Sequence, residues 1–124
     1  MKIIEWAFLC ASVVKNNLGG LDIINLGDTF HAVSTSNPFL VYRTAVPVKE
    51  NDEVGPYRLF GTFDLGLRIK TKTDEEIEAY ATEILVAPKA FVLPVGKSPL
   101  EPGSYTIELF ADGDLQHTLD LFLL

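Results

Sequence analysis

The stretch from Glu101 to Leu124 constrains the fold more than any other part of the chain, because two alternating segments flank a short turn. Apolar and polar residues alternate on both sides of Ala111-Asp112-Gly113, and this is the period of a half-buried strand. Asp-Gly between two such segments is a strong signal for a tight turn. The stretch therefore predicts a β-hairpin, and with it a fold built from sheets.

The length of the turn decides which residues face each other across this hairpin. A two-residue turn at Asp112-Gly113 would set Leu109 opposite Gln116, and would mix core and solvent positions along the ladder. A three-residue loop at Ala111-Asp112-Gly113 would set Leu109 opposite Leu115, with the glycine in the left-handed position that such loops favour. We therefore predict the three-residue loop.

Alternation and turn signals recur along the rest of the chain. They predict six further strands: Lys2 to Cys10, Leu21 to Phe30 with an interruption at Gly27-Asp28, Phe39 to Val48, Tyr57 to Ile69, Ala79 to about Val86, and Ala90 to Leu93. The charged segment Lys49 to Pro56 is typical of an exposed hairpin loop. Thr73 and Glu76 fit a helical capping box, so we expect at most one short helical turn near residues 73–78.

Seven or eight short strands without a long helix indicate an all-β protein. We predict an immunoglobulin-like antiparallel β-sandwich, with an up-and-down barrel as the structural alternative. The chain has 124 residues, of which 48% are hydrophobic and 22% charged, so it can bury a core. We expect a single β-sandwich domain over residues 1–124.

Two residues near the start of the chain are expected to be buried. Trp6 is the only tryptophan, and its size favours a role as an anchor of the core. Cys10 has no histidine or basic residue near it in sequence, so we expect a small buried side chain rather than a reactive thiol. Because Cys10 is the only cysteine, the chain can form no internal disulfide and no Cys-cluster metal site.

The charge of the chain narrows the class of partner. The net charge of -7 and a pI of about 4.7 argue against a nucleic-acid partner, which requires clustered Lys and Arg. No apolar run approaches the roughly 20 residues that span a bilayer. The apolar N-terminal run is interrupted by Glu5, which disfavours a signal peptide. We expect a cytoplasmic protein with no membrane span.

The ends of the chain resemble two known groups of proteins. Pro102-Gly103-Ser104-Tyr105 followed by the Asp112-Gly113 turn is similar to the last hairpin of immunoglobulin-like sandwiches, with Tyr105 at the place of their corner tyrosine. Together with Glu5-Trp6-Ala7 and the segment Leu21 to Gly27, these motifs also resemble a family of small bacterial proteins of unknown function. That family has no assigned functional residues, so the resemblance implies the fold and no activity.

The sequence contains no pattern of catalytic residues. His31 and His117 are the only histidines, and neither has a metal ligand at a typical zinc spacing. We expect His117 to be partly buried and hydrogen-bonded. No serine lies in a nucleophile elbow, and there is no glycine-rich phosphate loop. We predict a protein that is not an enzyme and needs no cofactor.

Outward-facing apolar residues are the remaining candidates for function. The alternation places four of them on the outer faces of predicted strands: Phe60, Phe110, Phe122 and Leu124. If they are uncovered, they predict a protein–protein interface, including self-association; the alternative is that the segment Pro88 to Pro99 covers them. A second hypothesis is a small-ligand or carbohydrate site that uses loops at one end and the side chains of Tyr42, Tyr57 or Tyr80.

Overall fold

The computed structural model describes residues 3–32, 37–44, 62–85 and 90–124, and in these ranges the chain forms nine strands. They are β1 (Ile4–Lys15), β2 (Leu21–Gly27), β3 (Thr29–Phe30), β4 (Phe39–Thr44), β5 (Thr62–Thr71), β6 (Glu76–Leu85), β7 (Ala90–Pro94), β8 (Gly103–Ala111) and β9 (Asp114–Leu123). The described ranges contain no helix. The predicted loop Lys49 to Pro56 lies outside them.

The strands form two sheets that pack against each other, so the predicted β-sandwich is confirmed. The four-stranded sheet has the order β2-β1-β4-β7, and the five-stranded sheet has the order β3-β9-β8-β5-β6. The succession β9-β8-β5-β6 and the pairing of β4 with β7 follow the immunoglobulin-like connectivity. Strand β1 lies between β2 and β4 and is therefore an inner strand of its sheet.

The interruption at Gly27-Asp28 has a structural role, because the chain changes sheets there. Strand β2 pairs antiparallel with β1, whereas β3 pairs parallel with β9 in the other sheet. The backbone N–H of Phe122 donates a hydrogen bond to the carbonyl of Asp28, which fixes the crossing point. One predicted strand is therefore two short strands, one on each side of the sandwich.

The core lies between the inner faces of the two sheets. The alternation predicted for Tyr57 to Ile69 is confirmed where the structure describes it, because its inward residues are buried: Phe63, Leu65, Leu67 and Ile69. From the opposite sheet, Leu9, Leu40 and Tyr42 pack into the same cluster. Burial of such side chains stabilises the fold by about 1.5–3 kcal/mol each, so this cluster is what holds the sheets together.

Tyr105 closes the corner between β7 and β8. Its hydroxyl donates a hydrogen bond to the carbonyl oxygen of Glu101 over 2.6 Å, four residues earlier in the chain. This bond is the hallmark of the tyrosine corner in immunoglobulin-like sandwiches. Burial, followed by the nearby Glu101 charge, raises the pKa of Tyr105 above its usual value. Tyr105 therefore makes the contact expected of a corner tyrosine.

The predicted loop of the β8–β9 hairpin is wrong. The hairpin has a two-residue turn at Asp112-Gly113, whose φ angles of 50° and 85° belong to a type I′ turn. This turn pairs Phe110 with Leu115, and a bulge then shifts the register so that Leu109 faces His117. Because a bulge adds one residue to one strand, the inward apolar residues of the two strands face each other from Ile107 onward. The sequence argument omitted the bulge.

The segment after β5 forms a tight turn rather than a helical one. The hydroxyl of Thr71 accepts hydrogen bonds from the backbone N–H groups of Thr73 and Glu75, and Asp74 adopts a left-handed φ of 64°. These bonds satisfy the turn locally, so the capping box predicted at Thr73 does not form. Strand β6 therefore begins at Glu76, three residues before the predicted start.

Candidate interaction site

Two of the predicted interface residues, Phe110 and Phe122, lie on the outer face of the five-stranded sheet beneath cationic side chains. The guanidinium carbon of Arg68 lies 5.2 Å from the ring centre of Phe110. The ammonium nitrogen of Lys72 lies 5.4 Å from the ring centre of Phe122. A cation over the ring face is attracted by the negative face of the ring quadrupole. Each ring is therefore partly covered by a cationic side chain.

The cations on this face are themselves paired with carboxylates. Arg68 Nε lies 2.8 Å from Glu108 Oε1, and Lys70 Nζ lies 3.4 Å from the same oxygen. Lys70 also contacts Asp74, and these bonds to Asp74 and then Glu108 raise the pKa of Lys70. Lys72 is paired with Asp120. The cations over Phe110 and Phe122 therefore already have carboxylate partners, while Phe110 also lines a cleft of about 590 Å³.

The predicted interface residues do not form one patch among the described residues. Phe110 is next to the hairpin turn, whereas Phe122 pairs with Ser104 near the other end of β8. At about 3.4 Å per residue, the two rings are separated by roughly 20 Å along the strand. Leu124 is 65% exposed, and its backbone N–H donates to the carbonyl of Phe30. Phe60 lies outside the described residues.

The segment Pro88 to Pro99, proposed as a cover for these residues, packs elsewhere where the structure describes it. The backbone N–H of Val95 donates to the carbonyl of Pro38, and the Asn37 amide donates to the carbonyls of Val95 and Ser98. Glu78 accepts hydrogen bonds from the N–H of Lys97. The cover over Phe110 and Phe122 comes instead from the side chains of β5 and the turn after it.

The outer face of the four-stranded sheet has a different chemistry, beginning with Trp6. The expectation that Trp6 anchors the core is wrong: its ring stacks on Phe8 with centres 5.0 Å apart and planes 12° apart. The register shifts between Ile4 and Trp6, so that Ile4 points inward and is fully buried while Trp6 points outward. Trp6 is only half-buried in this position.

A cleft of about 610 Å³ lies on this outer face. Its walls are mostly apolar and include Trp6, Phe8, Leu21, Ile23, Val41 and Val92. Leu21 and Ile23 belong to β2, so the far part of the β1–β2 hairpin forms one wall. Cys10 is fully buried on the same sheet, as predicted, and this burial raises the pKa of its thiol.

The β1–β2 hairpin also carries most of the exposed apolar side chains. Seven large hydrophobic side chains are exposed among the described residues, and four lie on this hairpin: Val14 (48%), Leu18 (95%), Ile24 (43%) and Leu26 (64%). Scattered exposed hydrophobics are ordinary, whereas a concentration on one element marks an interaction surface. We call these four side chains the hairpin patch.

The tip of the hairpin is rigidly built around Asn16. Its side-chain oxygen accepts hydrogen bonds from the N–H groups of Leu18 and Gly20, both over 2.9 Å, and its amide donates to Asp22. Gly19 adopts a φ of 82°, which suits glycine. The turn therefore holds Leu18 in solvent on an ordered backbone. The sequence signal that we did not use is the doublets at Val13-Val14 and Ile23-Ile24, apolar on both faces.

Of the tyrosines suggested for ligand binding, Tyr42 lies in the core and Tyr80 lies beside a cleft. Tyr42 is 1% exposed and stacks on Phe91, with ring centres 5.5 Å apart. Tyr80 lines a second cleft of about 710 Å³ between β6 and β7, where its hydroxyl donates to the carbonyl of Pro94 and Lys97 lies over its ring. Tyr57 lies outside the described residues.

The two histidines are also far from any catalytic arrangement in the described structure. His117 Nε2 lies 2.8 Å from the carbonyl oxygen of Ile4, so the predicted hydrogen-bonded histidine is confirmed. His31 is exposed. Within the described ranges no group of three or more His, Cys, Asp or Glu side chains could hold a metal ion. The same ranges include no helix of the length and hydropathy needed to cross a bilayer.

The sequence matches no known protein-family model. No curated protein sequence matches it either. The resemblance to the bacterial family of unknown function therefore stays a prediction.

Proposed function

We propose that this protein is a non-enzymatic interaction module that acts by protein–protein contact and associates with itself through the β1–β2 hairpin. The observation that supports this function is the hairpin patch, together with the apolar cleft beside it. Apolar surface concentrated on one element favours association, since each Leu or Ile removed from water contributes about 1.5–3 kcal/mol. A cytoplasmic location belongs to the same proposal, because the free thiol of Cys10 suits a reducing compartment.

The contrast with the five-stranded sheet favours the hairpin over the β8–β9 strands as the binding surface. Phe110 and Phe122 are already in contact with cations that have carboxylate partners. Binding another protein there would require these charges to lose solvent or partners, which is costly. The four side chains of the hairpin patch are uncharged, and the segment from Val14 to Gly27 contains one cation, Lys15, and one anion, Asp22.

The test compares oligomeric states by light scattering after size exclusion, over a range of protein concentrations. We expect the wild type to have twice the monomer mass of 13.7 kDa. The double variant Ile24→Asp with Leu26→Asp should be a folded monomer, because it places two carboxylates in the patch of each copy. The double variant Phe110→Asp with Phe122→Asp should keep the wild-type mass.

Ile77→Asp is the matched control, since Ile77 is exposed to a similar extent (45%) but lies on β6. Circular dichroism confirms that each variant is folded. A wild type that stays monomeric at all concentrations contradicts the proposed function. Dissociation by the Phe110 and Phe122 changes, with the hairpin variant still dimeric, would move the interface to the β8–β9 hairpin.

A second candidate function is the binding of a small ligand in the cleft beside Tyr80. Its volume of about 710 Å³ is in the range of small-molecule sites, and Phe39, Leu93 and the Tyr80 ring provide apolar contact. Isothermal titration with simple sugars would test it, and loss of a heat signal in Tyr80→Ala would assign the binding to this cleft.

A further inference from the structure

We infer that two copies of the chain bind reciprocally, with Leu18 of each copy inserted into the Trp6–Val92 cleft of the other. The inference rests on the proposed self-association and specifies how it occurs. Leu18 is 95% exposed on a turn ordered by Asn16, so it is a preformed apolar projection. The cleft of about 610 Å³ is a preformed apolar recess.

The projection and the recess are adjacent in the molecule. Gly19 and Gly20, which directly follow Leu18, line the cleft themselves. A two-fold axis brings the same surface of both copies together, so a residue that contacts the partner's cleft is matched by the reverse contact. Both insertions are therefore related by the same two-fold axis, as a closed dimer requires.

A stable dimer needs more buried area than the hairpin patch provides, so the cleft must be part of the interface. A stable interface buries roughly 800 Å² on each copy. Aliphatic side chains contribute on the order of 100 Å² each, so the hairpin patch by itself is too small. Trp6 and Phe8 are of intermediate burial, so each adds only the smaller, still exposed part of its surface to this area.

The distribution of charge favours a second copy at this surface and disfavours one elsewhere. The chain carries a net charge of -7, so two copies repel each other on most approaches. The segment from Val14 to Gly27 contains one cation, Lys15, and one anion, Asp22, and is therefore neutral. Charge neutrality at the contact removes the main electrostatic obstacle to association of identical acidic chains.

The charges on the edge strands also favour β2 over β6 as a surface for association. Strand β2 is an edge strand with Asp22 as its one charged residue, whereas the edge strand β6 carries Glu76, Glu78 and Glu83. Antiparallel pairing of β6 with its own copy would bring these carboxylates together, which is a known way to block edge association. The edge at β2 has no comparable protection among the described residues.

The chemistry of the cleft points to an apolar occupant. Among the described residues no buried side-chain nitrogen or oxygen lacks a hydrogen-bond partner. A polar ligand is recognised by convergent polar groups, and here Lys15 is the only charged side chain in the described lining. An aliphatic side chain such as leucine matches such walls.

The decisive variant is Leu18→Asp, with Ile77→Asp as its matched control. Because Leu18 lies outside the core, Leu18→Asp should keep the wild-type circular dichroism spectrum. Both reciprocal contacts are lost in the symmetric dimer, so we expect the dimer dissociation constant to rise at least about 100-fold. Ile77→Asp should change it less than about threefold.

Cross-linking tests the seating of Leu18 directly. One chain carries Leu18→Cys and a second, mass-tagged chain carries Val92→Cys; the two are mixed and oxidised. A disulfide forms only if the Cα atoms approach within about 7 Å, so we expect a cross-link between the two introduced thiols that joins one chain to the other. A mixture of Leu18→Cys with Ile77→Cys should give none.

The outcomes separate the inference from the proposed function. A wild-type dimer that Leu18→Asp leaves intact, or a mixture of Leu18→Cys and Val92→Cys chains that gives no cross-link, overturns the reciprocal insertion and leaves self-association standing. A monomeric wild type overturns both. A dimer that dissociates with Leu18→Asp and forms the cross-link supports both.

Discussion

The two outer faces of this sandwich both carry aromatic rings, but the side chains that surround the rings differ between the two faces. On the five-stranded sheet, Phe110 lies under Arg68, which is in turn paired with Glu108. On the four-stranded sheet, Trp6 stacks on Phe8 beside an open apolar cleft. On the first face paired cations cover the rings in part, and Phe110 also lines a cleft of about 590 Å³. On the second face the rings stack on each other and line a cleft with mostly apolar walls.

This difference shows why the outward position of an aromatic residue is a weak predictor of an interface. The alternation of apolar and polar residues identifies the face on which a ring lies. Whether the ring is available depends on its neighbours across the sheet, such as Arg68 opposite Glu108. An interface is therefore better predicted from the chemistry around a ring than from the ring itself.

The largest expected effect is the difference in free energy of unfolding between Leu9→Ala and Trp6→Ala, which compares a core side chain with one on an outer face. Leu9 is 2% exposed in the core, so its truncation should lower the free energy of unfolding by about 2–5 kcal/mol. Trp6 is half-buried outside the core, and its truncation in the monomer should cost only about 1–2 kcal/mol. Urea unfolding followed by circular dichroism, at concentrations below the dimer dissociation constant, measures both values.

Equal losses in the two variants would contradict the assignment of Trp6 to a binding surface, because they would make the outer ring as important to the fold as a core side chain. Phe8→Ala serves as a second probe of the same face, since it removes the ring on which Trp6 stacks.

A slightly smaller effect concerns Tyr42, which stacks on Phe91 on the inner face of the same sheet. Burial, with a smaller contribution from Tyr80, raises the pKa of Tyr42 to about 12. An unfolded tyrosine ionises near pH 10, so the stabilisation is present below pH 10 and is lost as the pH rises towards 12. Between these values the wild type should lose roughly 2–3 kcal/mol more than Tyr42→Phe.

Denaturant unfolding at several pH values, together with near-ultraviolet absorbance of tyrosinate, checks this expectation. The same pH dependence in Tyr42→Phe would show that another group is responsible. Tyr80→Phe is a second comparison, since the pKa of Tyr80 is also raised by burial and its charge contributes to the raised pKa of Tyr42.

The smallest effect is expected from removing the cover of the five-stranded sheet. Arg68→Ala uncovers the Phe110 ring and removes one ion pair, and it should lower stability by about 1 kcal/mol. Binding of a dye that reports exposed apolar surface should increase. The control is Arg43→Ala, which removes an ion pair to Glu5 at 3.8 Å on the other sheet. Unchanged dye binding in Arg68→Ala would argue that the cation does not shield the ring.

Much of the fold could be predicted from local pattern, because alternation reports directly which side chains are inward. The residues Phe63 to Ile69 are buried at every second position, and Tyr105 makes its corner bond. The errors arise at bulges, between Ile4 and Trp6 and between Leu109 and Phe110. A bulge reverses the facing of all residues beyond it and depends on partners distant in sequence.

The candidate site was less predictable than the fold. The apolar doublets Val13-Val14 and Ile23-Ile24 were visible in the sequence, but a strand that is apolar on both faces usually indicates an inner strand. Strand β2 is instead at an edge, where one of its faces remains exposed. The order of strands in a sheet, which creates the cleft, is decided by long-range pairing and has no local signal.

The bulge in β9 has a consequence for how the protein is made. It directs Gln116 and His117 to the backbone of Ile3 and Ile4, which are more than 110 residues away along the chain. Strand β9 also holds β3 in place. Strands β1 and β3 can therefore make these contacts only after β9 has been synthesised, and contacts of such long range form slowly. The β1–β2 segment is thus synthesised well before the strand that completes the sandwich, and apolar surface that is exposed during folding favours aggregation.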